Sequence, residues 1–358
     1  MRVIQILPTL GWGDAVGNDT RAIHRILKEE GYDSVIAAEA VDARIPKEEA
    51  TEIGKLPEIR EEDLVIYHAS TGSRLNFDIA GYPGRKMMIY HNITPPEFFR
   101  RYNRDAGKNM AYGYEGIRYL KDKFEYCIAD SEYNRQELRR MGYETPIDVC
   151  PILIPFEDYD KAPSKRVMEQ YGNDGKKNWL FVGRIAPNKK QEDVIRAFCR
   201  YQRDYEPESR LFLVGNAGGM ERYETRLKDY IHALGLDGKV IIPGHIPFDE
   251  TLAYYRLADL FVCMSEHEGF CVPLAEAMHF RVPIIAYGCC AVPDTLGSGG
   301  LLLDSKEPGL AAAAIDRIVN DRALRRHLKK EQEKVLKRFS YEEAEKTMIG
   351  CVRRVISL

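Results

Sequence analysis

No stretch of the chain approaches the ~20 consecutive apolar residues that a membrane-spanning helix needs. There is no excess of basic residues: 52 Lys and Arg against 55 Asp and Glu give a net charge of -3. That argues against a nucleic-acid binder, which usually carries a basic surplus. The eight cysteines form no CxxC pair, and the adjacent Cys289 and Cys290 suit neither a disulfide framework nor a zinc site. A reduced cytosolic compartment is the simplest expectation. The opening segment, MRVIQILPTLGWGD, has one Arg, a short apolar stretch before Pro8 and no small-residue cleavage site, so it reads as a first β-strand rather than a leader. Short internal repeats and low-complexity tracts are absent. What remains is ordinary for a soluble globular protein: 358 residues, 44% hydrophobic and 30% charged. At roughly 150 residues per domain, two domains are expected.

Both halves alternate short β-branched runs with longer helical patterns. Strands are expected at Arg2–Leu7, Ser34–Ala38, Leu64–His68, Lys86–His91, Cys127–Asp130 and Ile147–Ile154. The second half adds Trp179–Arg184, Arg210–Gly215, Val240–Pro243, Leu260–Met264, Pro283–Ala286 and Leu301–Leu303. Most are continuous apolar runs, the mark of parallel strands covered on both faces. Strands alternating with helices imply two doubly wound α/β sheets. Pro155–Lys177 is the expected boundary and contains a helix around Lys165–Tyr171. A charged helix over Asp321–Arg338 is followed by Ser340 and Glu343, which resemble a capping box. Met348, Val352, Val355 and Ile356 then give a last helix an apolar face. Ligands in open α/β sheets bind at the carboxyl ends of strands, so the site is sought in the loops there.

The segment Ser265–Met278, SEHEGFCVPLAEAM, follows the strand at Leu260. Pro273 suits a first helical turn, and the preceding loop aims N–H groups at a positive helix terminus. Glu268 and Glu276, seven residues apart, suit the hydroxyls of a polyol. The same pair also reads as glycosidase carboxylates or as solvated charges. HExxH fails because position 271 is Cys. In Val182–Gln191, VGRIAPNKKQ, Gly183 permits close backbone approach. Arg184 and Lys189 suit two phosphates, or they are solvated turn residues, and Lys190 is the neighbour most easily confused with Lys189. Leu213–Gly219 is a glycine-rich loop carrying Gly215 and Asn216. Pro243-Gly244-His245 follows the strand at Val240.

These residues resemble retaining glycosyltransferases of the GT-B fold in the large bacterial family four. EHEGFCVPLAEAM matches their glutamate–seven–glutamate signature in a strand–loop–helix context. The resemblance is strong in the second half and loose in the first. It implies two Rossmann-like domains facing a central cleft: 1–158, with 340–358 crossing back, on the acceptor side, and 159–339 on the donor side. By resemblance Glu268 touches the donor sugar and Glu276 the ribose hydroxyls. The N–H groups of Gly269, Phe270, Cys271 and Val272 face the sugar and diphosphate. Arg184 and Lys189 neutralise the diphosphate without a metal and without a cofactor. Gly183, Gly215 and Asn216 approach the nucleotide, and His245 borders the base.

In the first half, TLGWGDAVGN follows strand one. Gly11 and Gly13 fit a dinucleotide fingerprint and Glu39 is a plausible acidic partner, but Gly17 falls one place late. The resemblance instead puts this loop beside the donor phosphates and the acceptor, with Gly13, Asp14 and Asn18 as candidates. Asp14 and Asn18 read equally as turn residues bonding their own backbone. His91, in HNITPP, is expected to contact the donor sugar or support the reacting centre, and Ser131 to cap the next helix. Aromatics beside arginines in PPEFFRRYNR suit either an anionic membrane surface or a normal helix with Phe98 and Phe99 in the core.

The expected function is retaining transfer of a hexose from a nucleotide diphosphate sugar to a hydroxyl of a saccharide or lipid-linked acceptor, in the cytoplasm or peripherally at the inner face of the membrane. GDP-mannose is the first donor and a UDP-hexose the second. The rivals are a sugar-nucleotide epimerase on the same scaffold, an NAD-dependent oxidoreductase and a non-catalytic sugar-nucleotide binder.

Overall fold

The computed structural model describes residues 1–358, which divide into two compact units. One comprises Met1–Glu97, Asp105–Pro155 and Phe339–Leu358; the other comprises Phe98–Arg104 and Phe156–Arg338. Inclusion of Phe98–Arg104 in the second unit is not suggested by the sequence pattern.

The first unit carries seven parallel strands: β1 (Arg2–Leu10), β2 (Asp33–Val41), β3 (Thr51–Glu52), β4 (Leu64–Ala69), β5 (Arg85–Tyr90), β6 (Tyr126–Ala129) and β7 (Ile147–Val149). Their order is β3-β2-β1-β4-β5-β6-β7. The second unit has six: β8 (Lys177–Val182), β9 (Ser209–Val214), β10 (Val240–Gly244), β11 (Leu260–Cys263), β12 (Ile284–Tyr287) and β13 (Leu301–Leu303), ordered β10-β9-β8-β11-β12-β13. In each sheet the order reverses beside the first strand, at β1/β4 and at β8/β11. There the connecting loops diverge to opposite faces and leave a crevice.

The continuous apolar runs are buried on both faces: every residue of β4, β6, β9 and β11 is buried. The last helix, Tyr341–Ser357, belongs to the first unit. Its Met348, Val352 and Val355 pack with Ile23, Ile26, Ile66 and Ile89. Ser340 caps it by accepting from the Glu343 amide at 3.4 Å. Phe99 is buried and Phe98 half-buried, while Arg100 and Arg101 face solvent. No helix is long and apolar enough to cross a membrane.

The structure corrects two strand expectations. Ile147–Ile154 forms a strand only over Ile147–Val149, because Pro151 has no amide to give and the chain turns off the edge. The Leu153 amide instead donates to buried Asp19 at 2.8 Å. The two-residue strand Thr51–Glu52 is too short to leave a period in the sequence.

One close backbone contact fixes the loops of the second sheet. Gly215 sits at φ +157, and a Cβ there would lie 1.9 Å from the Gly183 carbonyl oxygen. Gly183 donates to Val214 at 3.0 Å and Ile185 to Asn216 at 2.9 Å, so the loops after β8 and β9 continue the sheet beyond its strands. Gly215→Ala should therefore lower stability by at least ~2 kcal/mol. Gly238→Ala, at φ +73 with open space around it, should lower it by about 1 kcal/mol. Denaturant titration followed by fluorescence of fully buried Trp179 checks both.

Candidate active site

In the second unit, the loops that leave β8 and β11 meet at the reversal point. Glu268 is nearly buried, and both its carboxylate oxygens accept from Lys189 Nζ, at 2.7 and 2.6 Å. Burial opposes the charge on Lys189, but Glu268 outweighs it and the Lys189 pKa is raised. Asn188 clasps the same two loops. Its carbonyl accepts from the Glu266 amide at 2.8 Å and its side chain donates to the His267 carbonyl at 3.2 Å. Burial, reinforced by Lys189, pushes His267 down to about 4 although Glu268 pulls the other way.

The two adjacent lysines are separated by backbone geometry. Lys190 sits in the left-handed region at φ 52 and turns to Glu266, at 3.0 Å. Glu266 also accepts from Lys306 at 2.8 Å. These two lysines prevail over burial and hold the Glu266 carboxyl below its usual range.

Arg184 is exposed, and its Nη2 donates to the Gly218 carbonyl at 3.2 Å. That brings it to the loop bearing Gly215 and Asn216, where Asn216 Oδ1 accepts from the Gly218 amide at 2.6 Å. His245 is exposed after β10. Cys271, at φ 75, is the N-cap residue of the helix Val272–His279, and Gly269–Val272 form the approach to that helix. Cys271 Sγ lies 3.9 Å from Cys263 Sγ.

Glu276, on that helix, has a different setting. Tyr159 donates to one of its oxygens at 2.6 Å and Tyr255 to the other at 2.5 Å. Burial raises its pKa against the pull of both hydroxyls. Neither tyrosine is marked by a local sequence pattern, since they lie 117 and 21 residues away from Glu276.

The first unit holds a buried polar chain along the carboxyl ends of its strands. His91 Nδ1 is 2.9 Å from Asp130 and its Nε2 is 2.9 Å from His68 Nδ1. His68 Nε2 lies 3.0 Å from Gln5 Oε1. Burial and the charge of His91 hold His68 well below its usual pKa, so neutral His68 accepts on Nδ1 and donates to Gln5. Burial opposes protonation of His91, but Asp130, Asp19 and Asp14 raise its pKa overall. Each His91 ring nitrogen is within hydrogen-bond distance of an inward partner, Asp130 on one side and His68 on the other. Both ring nitrogens of His91 thus have partners within the protein.

The N-terminal loop follows its turn reading. Asp14 caps the helix Ala15–Glu29, accepting from Gly17 at 2.6 Å, and the Asn18 amide donates to the Asp14 carbonyl at 3.0 Å. Gly13 has φ 76, and a Cβ on Gly17 would meet the Gly11 carbonyl oxygen at 2.4 Å. The proposed dinucleotide partner Glu39 accepts from Ser73 at 2.7 Å. Ser131 caps its helix as expected.

Residues 164–335 match the family model described as glycosyl transferases group 1. The chain carries a group 1 glycosyltransferase domain. The O-antigen chain mannosyltransferase B of Escherichia coli is 24% identical over 293 residues, 79% of this chain and 73% of that protein. The mannosylfructose-phosphate synthase of Agrobacterium fabrum is 34% identical over 137 residues, 37% of this chain and 29% of that protein. Among solved structures, sucrose-phosphate synthase from Thermosynechococcus elongatus superposes with a TM-score of 0.78 at 18% identity, covering 100% of both chains. Anabaena HepE in complex with UDP-glucose gives 0.79 at 17%, covering 99% of this chain and 100% of that one. The fold is GT-B, and the Lys189–Glu268 pair lies inside the group 1 domain.

A pH prediction follows from Asp19. Burial, with Asp130 adding and His91 opposing, raises its pKa to about 7. A carboxyl whose folded pKa is raised gives its full stabilisation below the unfolded pKa and loses it as pH rises through the folded one. Asp19→Asn should therefore flatten the fall in thermal stability between about pH 4 and about pH 7, measured by melting across that range. An unchanged slope would exclude Asp19 as its source.

Proposed function

We propose that the protein is a retaining hexosyltransferase, moving a hexose from a nucleotide diphosphate sugar to a hydroxyl of a saccharide or lipid-linked acceptor. The observation that carries this is the buried Lys189–Glu268 pair at the β8/β11 reversal, with exposed Arg184 on the same loop as Lys189. GDP-mannose is the first donor and a UDP-hexose the second. The mannosyltransferase name of one relative and the UDP-glucose in one structural neighbour support the two in turn.

In this reading Lys189 and Arg184 neutralise the departing diphosphate, helped by the N–H groups of Gly269–Val272. Fixed positive groups aimed at developing charge lower the barrier without reorganising during the reaction. Glu268 orients both Lys189 and the donor sugar, and Glu276, braced by Tyr159 and Tyr255, takes the ribose hydroxyls. Gly183, Gly215 and Asn216 let the backbone approach the nucleotide, with His245 at the base. Gly13, Asp14 and Asn18 serve the acceptor side, and His91 supports the reacting centre. The phosphate oxygen that leaves accepts the acceptor's proton on the face from which the sugar departs, so configuration is retained and no protein nucleophile or metal takes part. Docking on an anionic membrane through the Arg100–Arg104 region is the accessory expectation, tested by vesicle pelleting.

The first experiment is a thermal-shift panel of UDP, GDP, ADP, their hexose conjugates and NAD(H) without metal. One nucleoside diphosphate should stabilise selectively, and stabilisation by NAD(H) alone would overturn the proposal. Product NMR should show a retained anomeric centre, and an epimerised free donor would favour the epimerase. Arg184→Ala and Glu268→Gln should each lower turnover at least ~100-fold, while Glu276→Gln should act mainly on donor KM. Near-normal turnover in the first two, in folded protein, would remove the assigned roles.

A further inference from the structure

Cys263 ends β11 and Cys271 caps the helix eight residues later, and the loop between them carries Glu268. The three side chains place two sulfurs and a carboxylate oxygen within 4.8 Å of one another, and all three residues are buried. Zinc–sulfur bonds of about 2.3 Å at tetrahedral angles put two ligating sulfurs about 3.8 Å apart. The Cys263 and Cys271 sulfurs are 3.9 Å apart, so zinc needs almost no movement of either. Soft sulfur with one carboxylate selects zinc over magnesium or calcium, which demand oxygen.

The charges also fit. Two thiolates, one carboxylate and a divalent ion sum to -1, and the Lys189 ammonium beside Glu268 offsets that remainder. Ser265 Oγ lies 3.4 Å from Cys263 Sγ and supplies a polar neighbour to the sulfur. We propose that Cys263, Cys271 and Glu268 form a binding site for a zinc-type thiophilic divalent ion, with a fourth position left to water. Binding releases the two thiol protons to solvent and turns one Glu268 oxygen from Lys189 to the ion. The ion is therefore an inhibitor of transfer, a consequence that rests on the roles proposed above for Glu268 and Lys189; the binding itself does not.

The test uses the reduced full-length chain. Calorimetry with zinc against a competing chelator should give one ion per chain and release of about two protons. Cobalt(II) in place of zinc should give a thiolate charge-transfer band. Cys263→Ser and Cys271→Ser should each weaken zinc by more than ~100-fold, beyond the 10–100-fold typical of losing an outer-shell partner. Cys289→Ser should leave binding unchanged, although Cys289 and Cys290 form the other close thiol pair, 3.4 Å apart. Zinc should also slow alkylation of Cys263 and Cys271 in the unmutated chain, a readout independent of whether the variants fold. Loss of binding in Cys289→Ser, a cobalt complex without a thiolate band, or alkylation unaffected by zinc would each overturn the site. Zinc bound at the site with transfer undiminished would overturn the inhibition alone. Absence of any transfer activity would count against the proposed function and leave the binding result standing.

Discussion

The Lys189–Glu268 ion pair constrains everything placed around it. A buried pair pays a desolvation penalty that its own attraction seldom exceeds, so its presence is weak evidence of stabilisation. Its effect here is positional. Lys189 follows β8, Glu268 follows β11, and these strands are neighbours only because the sheet reverses its order between them. The pair closes the crevice that the reversal opens. Asn188, bonded to both Glu266 and His267, then fixes the backbone that carries the charges. With Glu268 half-neutralised by a lysine held in place, the loop presents an ammonium whose position no longer depends on a flexible stem.

The two sheets share one strand order and put it to different uses. In the second, a charge pair, an exposed arginine and two facing glycines gather where β8, β9 and β11 end. In the first, buried polar residues bond mainly to one another: Gln5, His68, His91 and Asp130 form a chain of hydrogen bonds that leaves only the Gln5 side-chain nitrogen among them without a partner. Hydrogen bonds made away from water are stronger and favour one arrangement of the groups that make them. The chain braces this part of the first unit. The proposed donor chemistry accordingly rests on the group 1 domain.

The alternation of strands and helices was legible because parallel strands buried on both faces leave continuous apolar runs, as in Leu64–Tyr67 and Leu211–Val214. Lys189 and Glu268 were legible too, each marked by its position after a strand and by the signature around Glu268. The partners of the other candidates were not. His68 reads as the end of an apolar strand, and its bond to His91 crosses 23 residues of sequence. Asp19 meets Leu153 across 134. Such contacts are created by topology, and no local period encodes them. A polar residue closing an otherwise apolar strand, as His68 and Asp130 both do, is the one local signal that pointed to the network.

The two glutamates of the signature are also distinguished only by tertiary structure. In sequence they are a symmetrical pair, which is why a glycosidase reading competed for them. A retaining glycosidase needs one carboxyl as acid and another as nucleophile, both facing the scissile bond. Here Glu268 is clamped by an ammonium on both oxygens, and Glu276 accepts a tyrosine hydroxyl on each of its own. Attack by Glu268 on a sugar carbon would have to break its pairing with Lys189 in a buried setting. Burial raises the Glu276 pKa, but its oxygens are already held by hydroxyls that would compete with a departing alkoxide. Carboxylates restrained in this way serve better as fixed hydrogen-bond acceptors than as reactants. Binding of sugar and ribose hydroxyls asks only for acceptors, and in the proposed transfer the bond-breaking charge would fall to the cations of the β8 loop.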